Sequence, residues 1–167
     1  MLQHRPRVDP LPRGSFDSWL DFMSTAAIVA GALVVANAWS SLPAVIPTHF
    51  GADGQVNGFG PRATLLMLPS VALLMFVMLG VLQRYPRIYN YAWPITEENA
   101  ARQYALASRL MGVIRAMMVC LFSYLSWQTT RAAAGDPGGL GAGFLPLMLL
   151  GTFGPLVWYL IAAGRAR

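Results

Sequence analysis

Residues 63–83 read ATLLMLPSVALLMFVMLGVLQ, and none of these side chains carries a charge. A helix rises about 1.5 Å per residue, so a run of about 20 apolar residues crosses the roughly 30 Å hydrocarbon core of a bilayer. Lipid offers no partner to backbone N–H and C=O groups, and a helix pairs them within one segment. The stretch therefore predicts a membrane-spanning α-helix.

Three further apolar runs lie on either side of this one, one before it and two after it. Together they predict four spans, at residues 22–42, 63–83, 110–128 and 143–163. None of them alternates strictly between apolar and polar residues, which excludes a transmembrane β-barrel. The sequence thus predicts a single domain, an all-α integral membrane protein with four transmembrane helices.

The remaining segments connect the predicted spans. They are an arm (1–21), a loop (43–62), a connection (84–109), a second loop (129–142) and a tail (164–167). Thr96 is followed by Glu97 and Glu98, a pattern typical of a helix start, because a threonine caps free amides and acidic side chains favour the positive end of the helix dipole. The third helix is therefore expected to begin in the connection, before it reaches the membrane.

The bulk composition agrees with a membrane protein. Hydrophobic residues make up 56% of the chain and charged residues only 11%, whereas soluble domains carry about a quarter of charged residues. The net charge is +5, and every basic residue is an arginine. Most of these arginines lie at the ends of apolar runs rather than along one exposed face, which favours membrane anchoring and argues against nucleic-acid binding.

The distribution of arginines predicts the orientation. If all four runs span, two arginines, Arg62 and Arg131, lie on one side. Nine lie on the other side: Arg5, Arg7, Arg13, Arg84, Arg87, Arg102, Arg109, Arg165 and Arg167. Arginine-rich flanks stay in the cytoplasm, so both termini are predicted to be cytoplasmic, in a multi-pass protein of the plasma or inner membrane. A cleaved signal peptide ending at Ala36-Asn37-Ala38 is the alternative, disfavoured by Asp17 and Asp21 next to the first run.

The loop at 43–62 reads PAVIPTHFGADGQVNGFGPR. Pro43 and Pro47 restrict the backbone, and two turn signals follow, Ala52-Asp53-Gly54 and Val56-Asn57-Gly58. The sequence predicts an ordered outer loop whose shape depends on Pro43, Pro47, Gly54 and Gly58.

The same loop resembles a known family. The pattern Pro-x-x-Ile-Pro-x-His-Phe-x-x-x-Gly-x-x-Asn-Gly at positions 43–58 is similar to the signature of domain-of-unknown-function family 1648. Residues 89–91 and 95–104 also resemble that family, so the likeness extends over about residues 42–111. It implies a bacterial membrane protein that carries the module found at the N-terminal part of SdpI-type immunity proteins.

Polar and aromatic side chains of the loop are the candidate binding residues. They are His49, Phe50, Asp53 and Asn57. His49 could contact a ligand, or it could be a hydrogen-bonding residue that holds the loop together. Asp53 and Asn57 each precede a glycine and are also typical turn residues. With His49, Asp53 and Asp136 as the potential ligands on this side, the sequence predicts no metal site.

Arg115 is a charged residue inside the third predicted span. An intramembrane charge suggests function, but a long arginine side chain can also extend to the interface, or pair with Asp17 or Asp21 at a similar depth. Common catalytic motifs are absent from the sequence, so neither an enzyme nor a cofactor is predicted.

Three functions remain open. The first is binding or sensing, or an immunity-like role, in which the outer loop meets an extracytoplasmic peptide or lipid-like ligand and the cytoplasmic part meets a protein partner. The second is a transporter or transporter subunit, and the third an accessory subunit of a larger membrane complex. Four helices with one internal charge would need oligomerisation to line a transport path, so a homo-oligomer is also considered.

Overall fold

A computed structural model describes residues 5–8, 11, 13–136 and 138–167. It shows four long helices and one β-hairpin, in the order α1 (Ser15–Ala38), β1 (Val45–Phe50), β2 (Val56–Pro61), α2 (Met67–Leu82), α3 (Ala100–Ala133) and α4 (Phe144–Arg165). Short 3₁₀ helices at Arg62–Leu66 and Pro86–Ile88 precede and follow α2.

Four helical stretches are long and apolar enough to cross a membrane, as the sequence predicted. They are Ser15–Ala38, Arg62–Leu82, Ala100–Ala133 and Phe144–Arg165. Large apolar side chains cover their outer surface; Leu147 on α4, for example, is 70% exposed. Such a continuous apolar surface needs lipid around it, so the chain is a multi-pass membrane protein. The fold is mostly helical rather than all-α, because the loop predicted at 43–62 contains the hairpin.

Helix α3 lies at the centre, and α1, α2 and α4 each pack against it. Small residues allow the close approach of α1 and α3. A Cβ atom on Gly31 would lie 2.8 Å from Ser123 Oγ, and that hydroxyl donates a hydrogen bond to the Ala27 carbonyl at 2.7 Å. A larger side chain at position 31 would therefore push the two helices apart.

The N-terminal part of α3 extends beyond the length that a membrane requires. Its 34 residues correspond to about 50 Å, against a hydrocarbon core of about 30 Å. The helix begins at Ala100, four residues after the predicted start at Thr96. Thr96 and Asn99 bond reciprocally there: the Thr96 N–H donates to Asn99 Oδ1 at 2.9 Å, and the Asn99 N–H to Thr96 Oγ1 at 3.3 Å.

The connection between α2 and α3 is held by tyrosines. The Tyr89 hydroxyl donates to the Leu82 carbonyl at 2.7 Å, and the Tyr91 hydroxyl to the Pro86 carbonyl at 2.9 Å. Both rings pack against Tyr159 and its neighbours on α3 and α4. Burial raises the pKa of Tyr89 to about 12, and burial next to other tyrosines also raises the pKa of Tyr91.

Candidate functional site

The hairpin is docked on one end of the helix bundle. Strands β1 and β2 pair antiparallel, with Val45 opposite Pro61 and Phe50 opposite Val56. Ile46 in β1 is fully buried, in a cluster with Val35, Leu42 and Leu65. This apolar contact fixes the strands against the end of α1 and the start of the α2 segment. We call this the hairpin end of the molecule.

The tip of the hairpin makes a second contact, here named the turn contact, with the loop between α3 and α4. Gly54 has a positive φ of 79°, and its carbonyl accepts a hydrogen bond from the Leu140 N–H at 2.8 Å. Gly139, with φ of 55°, has no room for a side chain, because a Cβ there would lie 2.3 Å from the Gly54 oxygen. Gln128 on α3 completes the contact by donating to the Gly139 carbonyl at 2.5 Å.

Two of the predicted binding residues meet on the exposed surface of the hairpin. His49 Nδ1 is hydrogen-bonded to Asn57 Oδ1 across the strands. Because an amide oxygen only accepts, Nδ1 is the donor in this pair, and in a neutral imidazole Nε2 is then an acceptor. Gly58 stands opposite His49, and a Cβ there would lie 2.9 Å from His49 Cβ. The glycine therefore makes room for the imidazole.

The other predicted residues of the loop serve the hairpin in different ways. Asp53 lies in the turn, where its carboxylate accepts from the Gln55 N–H at 3.0 Å. Phe50 is half-buried at the end of β1, Pro47 is buried within β1, and Pro43 is exposed before it. The prediction of a second turn at 56–58 was wrong, because Asn57 and Gly58 lie in β2. Among the residues that the structure describes, no three His, Cys, Asp or Glu side chains could hold a metal ion.

A cleft of about 600 Å³ lies at the opposite end of the bundle, which we call the cleft end. It lies between the first turns of α1 and the last turns of α2, with α3 as its floor. Its polar lining is formed by Arg13, Asp17, Asp21, Gln83, Arg84, Ser108 and Arg115, and its apolar lining includes Leu11, Phe76, Val77 and Val81. The volume is typical of a small-molecule site.

Arg115 is the central side chain of this cleft. Its guanidinium is paired with Asp21 on α1 and lies 5.4 Å from the centre of the Phe76 ring on α2. The side chain is 8% exposed, and no described residue accepts a hydrogen bond from its Nε. Gly80 gives the guanidinium space, since a Cβ there would lie 3.1 Å from Nη1.

Two further ion pairs surround Arg115. Arg13 is bonded to Asp21 at 2.5 Å, and Arg109 to Asp17 at 3.3 Å. The sequence placed Arg115, Asp17 and Asp21 at one depth, and Asp21 is the partner in the structure. The roles of Arg13 and Arg109 were missed, because Arg13 lies before α1 and Arg109 pairs with an aspartate on a different helix.

The segment that contains the hairpin matches a known protein family. Residues 26–73 match the family described as Domain of unknown function (DUF1648). This matched segment covers less than a third of the chain and is similar to a DUF1648 domain. It runs from α1 through the hairpin into α2, so it includes His49 and Asn57 but not Arg115. The resemblance noted at 89–104 lies outside the matched residues.

Part of the chain also matches a relative. An uncharacterized protein of Archaeoglobus fulgidus is 38% identical over an alignment of 60 residues, which covers 31% of this chain and 33% of that protein. The match thus spans about one third of the relative's length. No solved structure matches the chain.

Proposed function

We propose that the chain is a non-enzymatic binding or sensing protein of the cell membrane that recognises an extracytoplasmic ligand through its DUF1648 hairpin. The observation that carries this proposal is a docked hairpin whose outer surface exposes polar and aromatic side chains. Buried Ile46 and the turn contact hold the strands, while His49, Asn57 and Phe59 remain exposed, Phe59 at 68%. A fixed surface lowers the entropy lost on binding.

The chemistry of this surface favours a peptide ligand. An aromatic ring next to hydrogen-bonding groups is typical of protein-recognition surfaces. His49 Nε2 can accept a hydrogen bond from a backbone N–H, while Phe59 offers apolar area. The resemblance to SdpI-type immunity proteins also favours a peptide ligand, in an immunity-like role.

The proposal requires that the hairpin end faces outward, with both termini in the cytoplasm. The nine arginines on the other side of the membrane favour this orientation. Single cysteines at Ala52 and Asn90, both exposed, test it in a Cys120→Ala background. An impermeant thiol reagent added to intact cells should label position 52 and spare position 90; the reverse pattern would overturn the orientation.

The ligand is tested by site-specific photo-crosslinking in native membranes. A photoreactive phenylalanine analogue at position 59 should capture a discrete product, and the same analogue at lipid-facing position 147 should not. His49→Ala should reduce that product at least severalfold, because one hydrogen bond to the ligand is lost. Gln55→Ala, an exposed change in the hairpin turn, is the matched control.

Membrane level and thermal stability separate binding from folding. The His49–Asn57 pair is exposed, so His49→Ala should change stability by no more than about 0.5 kcal/mol. If His49→Ala instead abolishes accumulation, while the crosslink per molecule is unchanged, His49 is a structural residue and the proposal loses its support.

A further inference from the structure

The cleft end carries more positive than negative charge. Arg13, Arg84, Arg109 and Arg115 supply four positive charges, and Asp17 and Asp21 supply two negative ones, which leaves a balance of +2 (4 − 2). Arg109 is counted because it pairs with Asp17 in the cleft wall. Arg84 is exposed and makes no ion pair with any described residue. The surplus favours an anionic ligand.

A second observation points to a missing acceptor. Arg115 is more than nine-tenths buried and lines the cleft, yet its Nε has no hydrogen-bond partner among the described residues. A buried donor of a charged group that lacks an acceptor destabilises the folded protein. An anionic oxygen in the cleft would supply a further acceptor for this guanidinium, whose Nη1 lies beside Gly80.

The walls of the cleft indicate what carries that oxygen. Val77 and Val81 on α2 line the cleft and are about half exposed on a helix that crosses the membrane. Their exposed surfaces face lipid, so the cleft borders the acyl region on one side and the arginines on the other. A free anion would leave the apolar wall uncovered, whereas a phospholipid places a phosphate and its chains on the two surfaces.

We propose that this cleft is a binding site for the headgroup of an anionic membrane phospholipid. The lipid phosphate is held by Arg84 and Arg115, and the first part of an acyl chain lies along Val77 and Val81. Asp21 keeps Arg115 in position through its ion pair. Binding is independent of the hairpin, which lies at the other end of the bundle.

The test uses the full chain, purified in mild detergent and stripped of lipid. The fluorescence of its five tryptophans follows thermal unfolding after phosphatidylglycerol or phosphatidylcholine with identical acyl chains is added. Native mass spectrometry counts the lipid molecules that stay bound. Phosphatidylglycerol should raise the unfolding temperature and remain bound. Phosphatidylcholine and millimolar inorganic phosphate should do neither.

Three variants locate the site. Arg84→Gln should weaken the apparent affinity for phosphatidylglycerol about tenfold, since a charge-assisted contact is lost. Val77→Trp should also weaken it by filling the cleft without a change of charge. Arg102→Gln, at an exposed arginine of α3 outside the cleft, should leave the affinity unchanged.

Each contrary outcome has one meaning. If both lipids act equally, or if Arg84→Gln behaves like Arg102→Gln, the headgroup site is overturned. If inorganic phosphate stabilises the protein as well as phosphatidylglycerol does, the cleft takes a free anion and the lipid is overturned. Unchanged lipid retention in Val77→Trp would overturn the placement of the acyl chain.

Discussion

The hairpin end and the cleft end of this bundle are held together by different interactions. At the hairpin end, the turn contact joins backbone to backbone, with the Leu140 N–H on the Gly54 carbonyl. At the cleft end, long charged side chains join α1 to α3 around an open cleft. Backbone contacts through glycine fix one geometry, whereas charged side chains can exchange partners with a ligand. The hairpin end is suited to presenting a fixed surface, and the cleft end is suited to binding a ligand.

The largest effect is expected where a buried charge loses its partner. Asp21→Ala leaves Arg115 buried without its carboxylate partner. The free energy of unfolding should fall by about 3 kcal/mol. This is the low end of the range for a buried ion pair, because Asp21 is 40% exposed. The measurement is the thermal unfolding temperature in detergent, together with membrane yield. Asp136→Ala at the hairpin end is the matched control, because the Arg131–Asp136 pair is exposed to solvent and such pairs contribute little to stability. Equal shifts for the two variants would remove the distinction between the ends.

A smaller loss is expected from a methyl group in the turn contact. Gly139→Ala introduces a Cβ that overlaps the Gly54 oxygen at a positive φ, and the combined strain should cost about 2 kcal/mol. Gly135→Ala shares the positive φ but meets no atom within 4 Å, so it should cost only about 1 kcal/mol. The two unfolding temperatures are compared directly. If Gly139→Ala is no worse than Gly135→Ala, the hairpin tip is not fixed by this contact.

Alkaline pH should loosen the connection beside the cleft end before it affects the hairpin end. The folded pKa of Tyr89, about 12, lies above the unfolded value of about 10. The neutral form is thus favoured in the native state. This contribution to stability is complete below pH 10 and is lost as the pH rises through about 12. Tyrosinate absorbance and unfolding temperature, followed together, check this. Tyr89→Phe should flatten part of the dependence; an unchanged profile would contradict the assignment.

The smallest expected effect is a loss of stability at low pH through Asp136 at the hairpin end. The Gly138 N–H and the Arg131 guanidinium donate to the Asp136 carboxylate, and these contacts lower its pKa. A lowered folded pKa adds stability above the ordinary value of 3.8, and this is lost as the pH falls through the folded pKa. Asp136→Asn should therefore show a slightly flatter loss of stability between about pH 5 and pH 3. A steeper loss in the variant would contradict this sign.

The spans were predictable from the sequence because hydropathy is a local property that needs no knowledge of the partners. The hairpin was not, since β2 contains Asn57, Gly58, Gly60 and Pro61, residues that are unfavourable in strands. Their pairing with β1 depends on the buried Ile46 rather than on local preference. The Arg115 site was predictable in depth but not in detail, because helix rotation decides which aspartate each arginine meets.

The turn contact also has a consequence for biosynthesis. The acceptor, the Gly54 carbonyl, leaves the ribosome 86 residues before its donor, the Leu140 N–H (140 − 54). Closing so long a loop loses more entropy than closing a local turn does. The Gly54 carbonyl therefore lacks its hydrogen-bond donor while α2 and α3 are inserted. The donor is made only with residue 140, so the contact at the hairpin end closes after α3 has been synthesised.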